Sequence, residues 1–149
     1  PDMEIVGLCN CNWSVVEAKT ATEAYIQANP QIDGIISGGL MGLGAVDAFL
    51  DAGRPVPLVV GDDWNAWLRK SKELDLKFIA MDGGTPMGLW AVDLAVQILR
   101  GEPVPKYVEF PFTTFDETEL DEYFRPDLKD SYWGNSLLPE TWVEKLYKP

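Results

Sequence analysis

Short apolar runs alternate with longer stretches of helical periodicity between residues 5 and 112. The apolar runs lack regular polar alternation, which is typical of parallel strands buried on both faces of a sheet. They predict strands at 5–9, 32–36, 57–61, 77–81 and 107–112. The stretches between them carry apolar residues at helical spacing and predict helices over 14–28, 40–52, 64–74 and 85–100. This order predicts an α/β fold with a doubly wound parallel sheet.

Local signals mark where two of these helices begin. Ser14 and Glu17 match the S-x-x-E capping box, in which the serine and glutamate side chains satisfy free backbone N–H groups. Thr85 followed by Pro86 supplies a second N-cap, with proline at the first helical position. These signals support the predicted helix starts independently of the apolar pattern.

Residues 113–149 differ in character from the rest of the chain. They are acidic at 116–123, interrupted by prolines and rich in aromatic residues, which argues against disorder. We therefore predict a lobe over 1–112 and a tail over 113–149 that wraps over this lobe or over another one. Within the lobe, Trp67 and Trp90 are expected to pack in the core.

The composition narrows the classes of function. The chain has 149 residues, enough for one domain with a sizeable core. It contains no histidine, which excludes serine–histidine and cysteine–histidine catalysis within this chain. The formal net charge of −12 argues against binding to nucleic acid. No apolar run approaches the ~18–20 residues of a transmembrane helix.

The two cysteines form a C-x-C pair. The spacing of Cys9 and Cys11 places both side chains on one face of a strand. A disulfide between them would close a very tight ring, so two small buried thiols are the favoured interpretation. A zinc site needs about four ligands, and the sequence lacks the second pair. We therefore predict neither a metal site nor a cofactor.

Polar and aromatic residues follow the predicted strands, where the loops meet at one edge of the sheet. Ligands of open α/β sheets bind outside the carboxyl ends of the strands. Carboxylates and amides at that edge can engage a row of hydroxyl groups, and indole rings can pack on the apolar face of a sugar. The candidate ligand-binding residues are Asn10, Asn12, Trp13, Gly39, Asp62, Asp63, Trp64 and Asp82.

Several of these residues also have a structural alternative. Asp63 has the position of a helix N-cap, and Trp13 precedes a capping box, where a hydrophobic staple would lie. Gly38-Gly39 lacks the lysine and the spacing of a phosphate-binding loop, which favours close packing or a neutral ligand. A hard-cation site would need more carboxylates than Asp62 and Asp63 supply.

Several motifs in combination resemble one known family. They are Ala28-Asn29-Pro30-Gln31-Ile32-Asp33-Gly34, Met41-Gly42-Leu43-Gly44-Ala45, Val59-Val60-Gly61-Asp62-Asp63 and Leu99-Arg100-Gly101-Glu102-Pro103. Through them, residues 4–112 resemble the C-terminal part of the sugar-binding periplasmic proteins of ABC importers, which have the type I, ribose-binding-like fold. The tail segment around Tyr132-Trp133 is similar to that of a subset of these proteins.

The resemblance implies roles for particular residues. Trp13 matches the aromatic residue that stacks on the sugar ring in this family. Asp63 matches the aspartate that binds sugar hydroxyls. Asp82, or Met81 beside it, falls near a further polar contact after the next strand.

Two departures from the family pattern imply a ligand other than ribose. The family's arginine two residues beyond the stacking aromatic is Val15 here, and its asparagine–aspartate pair before the next helix is Gly38-Gly39. The expected ligand is a different sugar, a polyol or another small polar molecule. The expected replacements for the lost polar contacts are Asn10, Asn12, Asp62, Trp64 and Asn65.

The resemblance also implies a setting for the protein. Such proteins have two lobes that close on the ligand by hinge motion, and they deliver it to a membrane permease. The N-terminal lobe and the first strand and helix of this lobe are expected to be missing. The missing strand would lie between residues 5–9 and 32–36, so the remainder of the protein, in this or another chain, is an expected partner. The expected location is the periplasm, or the cell exterior with a lipid anchor in a Gram-positive host.

The leading hypothesis is thus a non-enzymatic solute-binding component of an importer. An alternative from another class is the ligand-sensing effector domain of a sugar-responsive transcription regulator, which would require a basic helix-turn-helix upstream. A third hypothesis is a sugar-modifying enzyme that uses Asp62, Asp63 and Asp82 as paired carboxylates. The acidic, tryptophan-rich tail favours the transport component.

Overall fold

A computed structural model describes residues 3–82, 84, 86–134 and 137–149. It contains one sheet of four strands within these residues, β1 (Gly34–Ile36), β2 (Leu58–Asp62), β3 (Phe78–Asp82) and β4 (Thr113–Asp116). The strands lie in the order β1-β2-β3-β4. The first three are parallel, and β4 runs antiparallel to β3. The predicted α/β fold class is confirmed, with a mixed sheet in place of the wholly parallel one expected.

The last strand lies later in the chain than predicted. Residues 107–112 form no strand, and the pairing with β3 begins at Thr113, which lies opposite Asp82. The predicted run contains Pro111, which has no N–H to donate to a sheet ladder. The prediction of a strand at 107–112 is therefore wrong. It followed the apolar content of the run and gave too little weight to the missing N–H of Pro111.

The strand predicted at residues 5–9 is also wrong. This segment makes no ladder, and Ile5 and Leu8 are exposed. A cavity of about 210 Å³ lies between it and β1, lined by residues of both. Among the described residues β1 is paired only with β2, so the segment has no strand beside it on which to form hydrogen bonds. That a further strand belongs between the two stays a prediction.

Four longer helices follow the predicted pattern closely. They are α1 (Val15–Ala28), α2 (Met41–Asp51), α3 (Asn65–Leu74) and α4 (Pro86–Leu99). Ser14 caps α1 by accepting a hydrogen bond from the backbone N–H of Glu17 at 3.2 Å. The N-cap predicted at Thr85 lies outside the described residues. α1 packs along α2, while α2 and α3 pack against the sheet and its core.

The core lies between the sheet and the helices. Trp67, as predicted, is buried there, and its ring meets Phe78 edge to face at 6.1 Å between ring centroids. Phe78 in turn meets Phe115 of β4 edge to face at 6.0 Å. β4 thus brings an aromatic side chain into the core from far along the chain, which joins residues after 112 to the lobe.

The apolar side of α4 is not in the core, contrary to prediction. Met87, Ile98 and Leu99 are exposed, and Trp90 is half-buried against Phe110, at 5.0 Å between ring centroids. Helical periodicity identifies a face that is suited to packing, but it does not supply the surface that covers it. The apolar pattern alone therefore could not predict how much of the apolar side of α4 is exposed.

The described part of the tail contains two short helices, α5 (Leu120–Tyr123) and α6 (Glu140–Tyr147). Leu128, Tyr132 and Val143 form a small apolar cluster of their own. The tail also caps α3, which has no side-chain cap at its N-terminus. The backbone N–H groups of Asn65 and Ala66 donate to the carbonyl oxygens of Tyr132 and Asp130 at 2.8 and 3.2 Å. Tail carbonyls thus satisfy N–H groups that the first turn of a helix leaves free.

The side chain of Asn65 is the central contact between the tail and the lobe. It is fully buried, and its amide nitrogen donates to the carbonyl oxygens of Arg125, Leu128 and Lys129 at 2.9, 3.1 and 3.2 Å. Its amide oxygen accepts a hydrogen bond from the N–H of Arg125 at 3.1 Å. One side chain therefore satisfies backbone groups at three tail positions.

Arg125 also holds two tail carboxylates. Its guanidinium donates to both carboxylate oxygens of Asp127 at 2.9 Å and to Glu140 at 2.6 Å. These hydrogen bonds lower the pKa of the Asp127 and Glu140 carboxyls below their ordinary values and raise the pKa of Arg125. The arrangement joins the start of α6 to the segment that Asn65 binds.

Replacing Asn65 is expected to release the tail. The Asn65→Ala change leaves several buried backbone groups without partners, which should lower the free energy of unfolding by on the order of 3 kcal/mol. Urea unfolding measures this change. Asn29→Ala is the matched control, because Asn29 donates to a single carbonyl and is more exposed. Equal losses in the two variants would contradict the central role of Asn65.

The Arg125 pairs are expected to make stability depend on acid pH. A carboxyl whose pKa is lowered by folding stabilises the protein above its ordinary pKa, 3.8 for Asp127 and 4.5 for Glu140. This contribution is lost as the pH falls through the lowered values. Urea unfolding between about pH 2 and 6 should show the loss. Arg125→Gln should make the free energy of unfolding depend less on pH in this range. An unchanged pH profile in that variant would contradict the role given to the Arg125 pairs.

Candidate functional site

The carboxyl ends of β1, β2 and β3 lie at one edge of the sheet because the three strands are parallel. The loop after β1 leads into α2, and its Ser37 N–H donates to the carbonyl oxygen of Val60 at 3.0 Å. The chain after β2 leads directly into α3. This edge carries most of the residues that the sequence proposes for ligand binding.

Trp13 lies at this edge, on the loop before α1. It is 69% exposed and has a left-handed backbone conformation with φ of 58°, as has Asn12 with φ of 48°. The benzo ring of its indole lies against Gly38 and Gly39. A large aromatic ring is thus held in solvent beside the loop that precedes α2.

Covalent and hydrogen bonds fix the loop that carries Trp13. Cys9 and Cys11 form a disulfide with 5.4 Å between their Cα atoms, so the prediction of two buried thiols is wrong. Spacing alone had suggested too tight a ring, but this Cα separation lies in the ordinary range for a disulfide. Cys11 is buried and accepts a hydrogen bond at its carbonyl oxygen from the N–H of Ser14 at 2.7 Å.

Asp62 lies next to the same glycine loop. Its carboxylate accepts a hydrogen bond from the backbone N–H of Gly39, and Gly39 is buried beneath the indole of Trp13. The structure therefore brings Trp13, Gly39 and Asp62 together. Asp62 takes part in none of the ion pairs among the described residues.

Asp63 occupies a different position, beneath the tail. It is only 3% exposed, and its carbonyl oxygen accepts a hydrogen bond from the N–H of Gly134 at 3.2 Å. Its carboxylate lies so close to Gly134 that a Cβ there would be 2.8 Å from the Oδ2 atom. The helix-cap alternative does not hold, because the N-cap of α3 is Trp64.

Trp64 also contacts the tail. Its ring stacks on that of Trp133 at 6.2 Å between ring centroids, and the two residues form an isolated antiparallel bridge. Sequence reasoning noted the Tyr132-Trp133 motif only as a resemblance, and it missed that Trp133 and Gly134 cover Asp63 and Trp64. The sequence signal for this contact was Trp133 followed directly by Gly134, a large ring that can stack next to a residue that allows close approach.

The remaining candidate ligand-binding residues do not all cluster around Trp13 and Asp62. Asn10 is exposed, and Asn12 donates to the carboxylate of Glu17 at 2.9 Å. The backbone of Asp82 pairs with Thr113, and its side chain lies outside the described part of the structure. Asn65, expected among the polar replacements, is buried in the tail contact. The described residues include no group of three or more acidic or cysteine side chains that is suited to a metal ion.

The α/β sheet topology agrees with a comparison of the chain with known families. The sequence model of the periplasmic binding protein domain matches residues 1–103. The chain belongs to this family. Its type I α/β fold, expected from the resemblance, is thereby confirmed.

Curated relatives of this family carry names that describe sugar or polyol binding. The D-apiose import binding protein of Actinobacillus succinogenes is 43% identical over 72 residues, which are 48% of this chain and 23% of that protein. The xylitol-binding protein of Mycolicibacterium smegmatis is 32% identical over 126 residues, 80% of this chain and 36% of that protein. The match thus spans less than a quarter of the first relative's length and little more than a third of the second's.

A solved structure supports the same assignment of the fold. It is an ABC transporter periplasmic solute binding protein from Actinobacillus succinogenes with bound D-allose, 25% identical in sequence. The superposition has a TM-score of 0.67 and covers 83% of this chain and 45% of that one. Within the described residues of this periplasmic binding protein domain, no helix has the length and apolar character that crossing a membrane requires.

A methyl group at position 134 is expected to disturb the tail over Asp63. The Gly134→Ala change places a Cβ against the carboxylate, which should cost about 1 to 3 kcal/mol or move the tail aside. Circular dichroism of the paired Trp64 and Trp133 indoles reports the movement, and urea unfolding reports the cost. Gly88→Ala is the control, since that position has open space around it and lies within α4. A response equal to the control would contradict this packing.

Proposed function

We propose that this chain forms one wall of the ligand cleft of a solute-binding protein that serves an ABC importer. The observation that carries the proposal is Trp13, whose exposed indole lies beside the same glycine loop that binds the Asp62 carboxylate. An indole offers an apolar surface for a sugar ring, and a carboxylate accepts hydrogen bonds from hydroxyl groups. The names of the curated relatives, which describe D-apiose import and xylitol binding, support this reading.

The proposed ligand is a neutral sugar or polyol. Asp62 and Asp63 are adjacent acidic residues, and Asp62 has no cation paired with it among the described ion pairs. A phosphate or carboxylate group on the ligand would be repelled by Asp62, whereas a hydroxyl group would be bound. Trp13 is the stacking residue and Asp62 the hydroxyl acceptor in this proposal, and Asp63 is a further acceptor that the tail covers in this structure. The further residues proposed to take part in binding are Asn10, Asn12, Gly39, Trp64 and Asp82.

Binding is reversible and leaves the ligand chemically unchanged in this proposal. The partners are a membrane permease and a second lobe, contributed by the remainder of the protein in this or another chain. Ligand would be held between the two lobes when they close. The proposed location is the periplasm, or the cell exterior with a lipid anchor.

Removing the Trp13 indole is expected to weaken binding without unfolding the protein. Calorimetry on the full-length protein would compare D-apiose, xylitol, D-allose and myo-inositol, with a sugar phosphate as the charged comparison. Trp13→Ala should lower affinity at least about tenfold because the ligand loses its apolar surface. The sugar phosphate should bind more weakly than the neutral sugars.

The matched control is Trp142→Ala, because Trp142 is similarly exposed but lies on α6 in the tail. That variant should retain the affinity of the unchanged protein. The assignment of Trp13 is wrong if its replacement leaves the affinity unaltered. Tighter binding of the sugar phosphate would contradict the proposed neutral ligand.

A further inference from the structure

We propose that Gly39 is a positioning residue that seats the Trp13 indole and fixes its place relative to the Asp62 carboxylate. The inference rests on the proposed function for its consequence in binding, and on the contacts of Gly39 for its geometry. Gly39 is buried beneath the indole, so its effect on a ligand passes through Trp13 and Asp62.

A side chain at Gly39 would contact the Trp13 indole more tightly than side chains ordinarily pack. A Cβ at this position would lie 3.1 and 3.3 Å from the Cζ3 and Cε3 atoms of Trp13, and 3.9 Å from the Oδ2 atom of Asp62. The backbone φ is 55°, in the left-handed region where a side chain is strained. At Gly38 a Cβ would lie 3.6 Å from the same indole, an ordinary contact. The close fit to Trp13 is thus specific to position 39.

Gly39 also contacts the proposed hydroxyl acceptor. Its backbone N–H donates to the carboxylate of Asp62. One residue therefore contacts both the stacking ring and the acceptor, and its position sets the spacing between the two. A ligand that stacks on the ring while its hydroxyl group reaches the carboxylate depends on that spacing.

The backbone of Trp13 is held in place independently of the contact between its indole and Gly39. Asn12 and Trp13 are both left-handed, a conformation that costs energy for residues with a Cβ and that clusters at functional sites. The Cys9–Cys11 disulfide and the hydrogen bond from Ser14 to Cys11 hold this turn in place. With the backbone held there, the seat at Gly39 determines where the ring lies.

Three alanine substitutions separate the contact with Trp13 from backbone strain. Gly39→Ala adds both a close contact and a side chain at positive φ. Gly53→Ala adds a side chain at a φ of 64° with open space around it, so it reports strain alone. Gly38→Ala adds an ordinary contact with the same ring at a φ outside the left-handed region.

The first measurement needs no ligand. The indole N–H resonance of Trp13, assigned by its loss in Trp13→Phe, should shift in Gly39→Ala and stay in place in the other two variants. An unshifted resonance in Gly39→Ala would overturn the proposal. If Gly39→Ala alone fails to fold, the double variant with Trp13→Ala should fold, because removal of the indole relieves the contact. Failure of that double variant while Gly53→Ala folds would overturn it as well.

The second measurement is a double-mutant cycle in calorimetry with D-apiose and xylitol on the full-length protein. Gly39→Ala should weaken binding about tenfold, and it should weaken binding little further when Trp13→Ala is already present. Fully additive losses would show that Gly39 does not act through Trp13. If neither sugar binds the unchanged protein, the proposed function fails for these sugars, and the resonance of Trp13 still decides the role of Gly39.

Discussion

The buried amide of Asn65 is the constraint on which the arrangement of the tail depends. A fully buried amide must find partners for its donors and its acceptor, because an unsatisfied polar group inside a protein is costly. Here those partners are backbone groups of Arg125, Leu128 and Lys129. The path of the tail is therefore set at the first residue of α3, and the stacking of Trp133 on Trp64 follows from it.

This constraint divides the candidate site into two parts of different character. Trp13 and Asp62 both contact the glycine loop, where the indole is exposed. Asp63 and Trp64 lie one residue further along the chain but face the tail. Two adjacent aspartates thus have unlike surroundings, since Asp62 is bound to a loop backbone and Asp63 is covered by Gly134. The tail, although remote in sequence, thus covers one part of the candidate site.

The sequence predicted local features well and long-range ones poorly. The capping box at Ser14 and the burial of Trp67 depend on neighbouring residues or on one amphipathic face, and both were predicted correctly. The strand at Thr113–Asp116 is short, and it is stabilised by its pairing with β3 and by the packing of Phe115 in the core, so no local pattern predicted it. The contact of Asn65 with residues 125–129 joins segments sixty residues apart, which periodicity cannot detect.

The exposed apolar side of α4 has a consequence for the thermodynamics of unfolding. The heat-capacity change and the denaturant dependence of unfolding both scale with the surface that unfolding newly exposes. Side chains such as Leu89, Val92 and Leu99 already face solvent in the folded chain. These side chains therefore add little to the heat-capacity change or to the denaturant dependence of unfolding. The stability of this chain should therefore vary with temperature along a flatter curve than that of a fully packed domain of the same length.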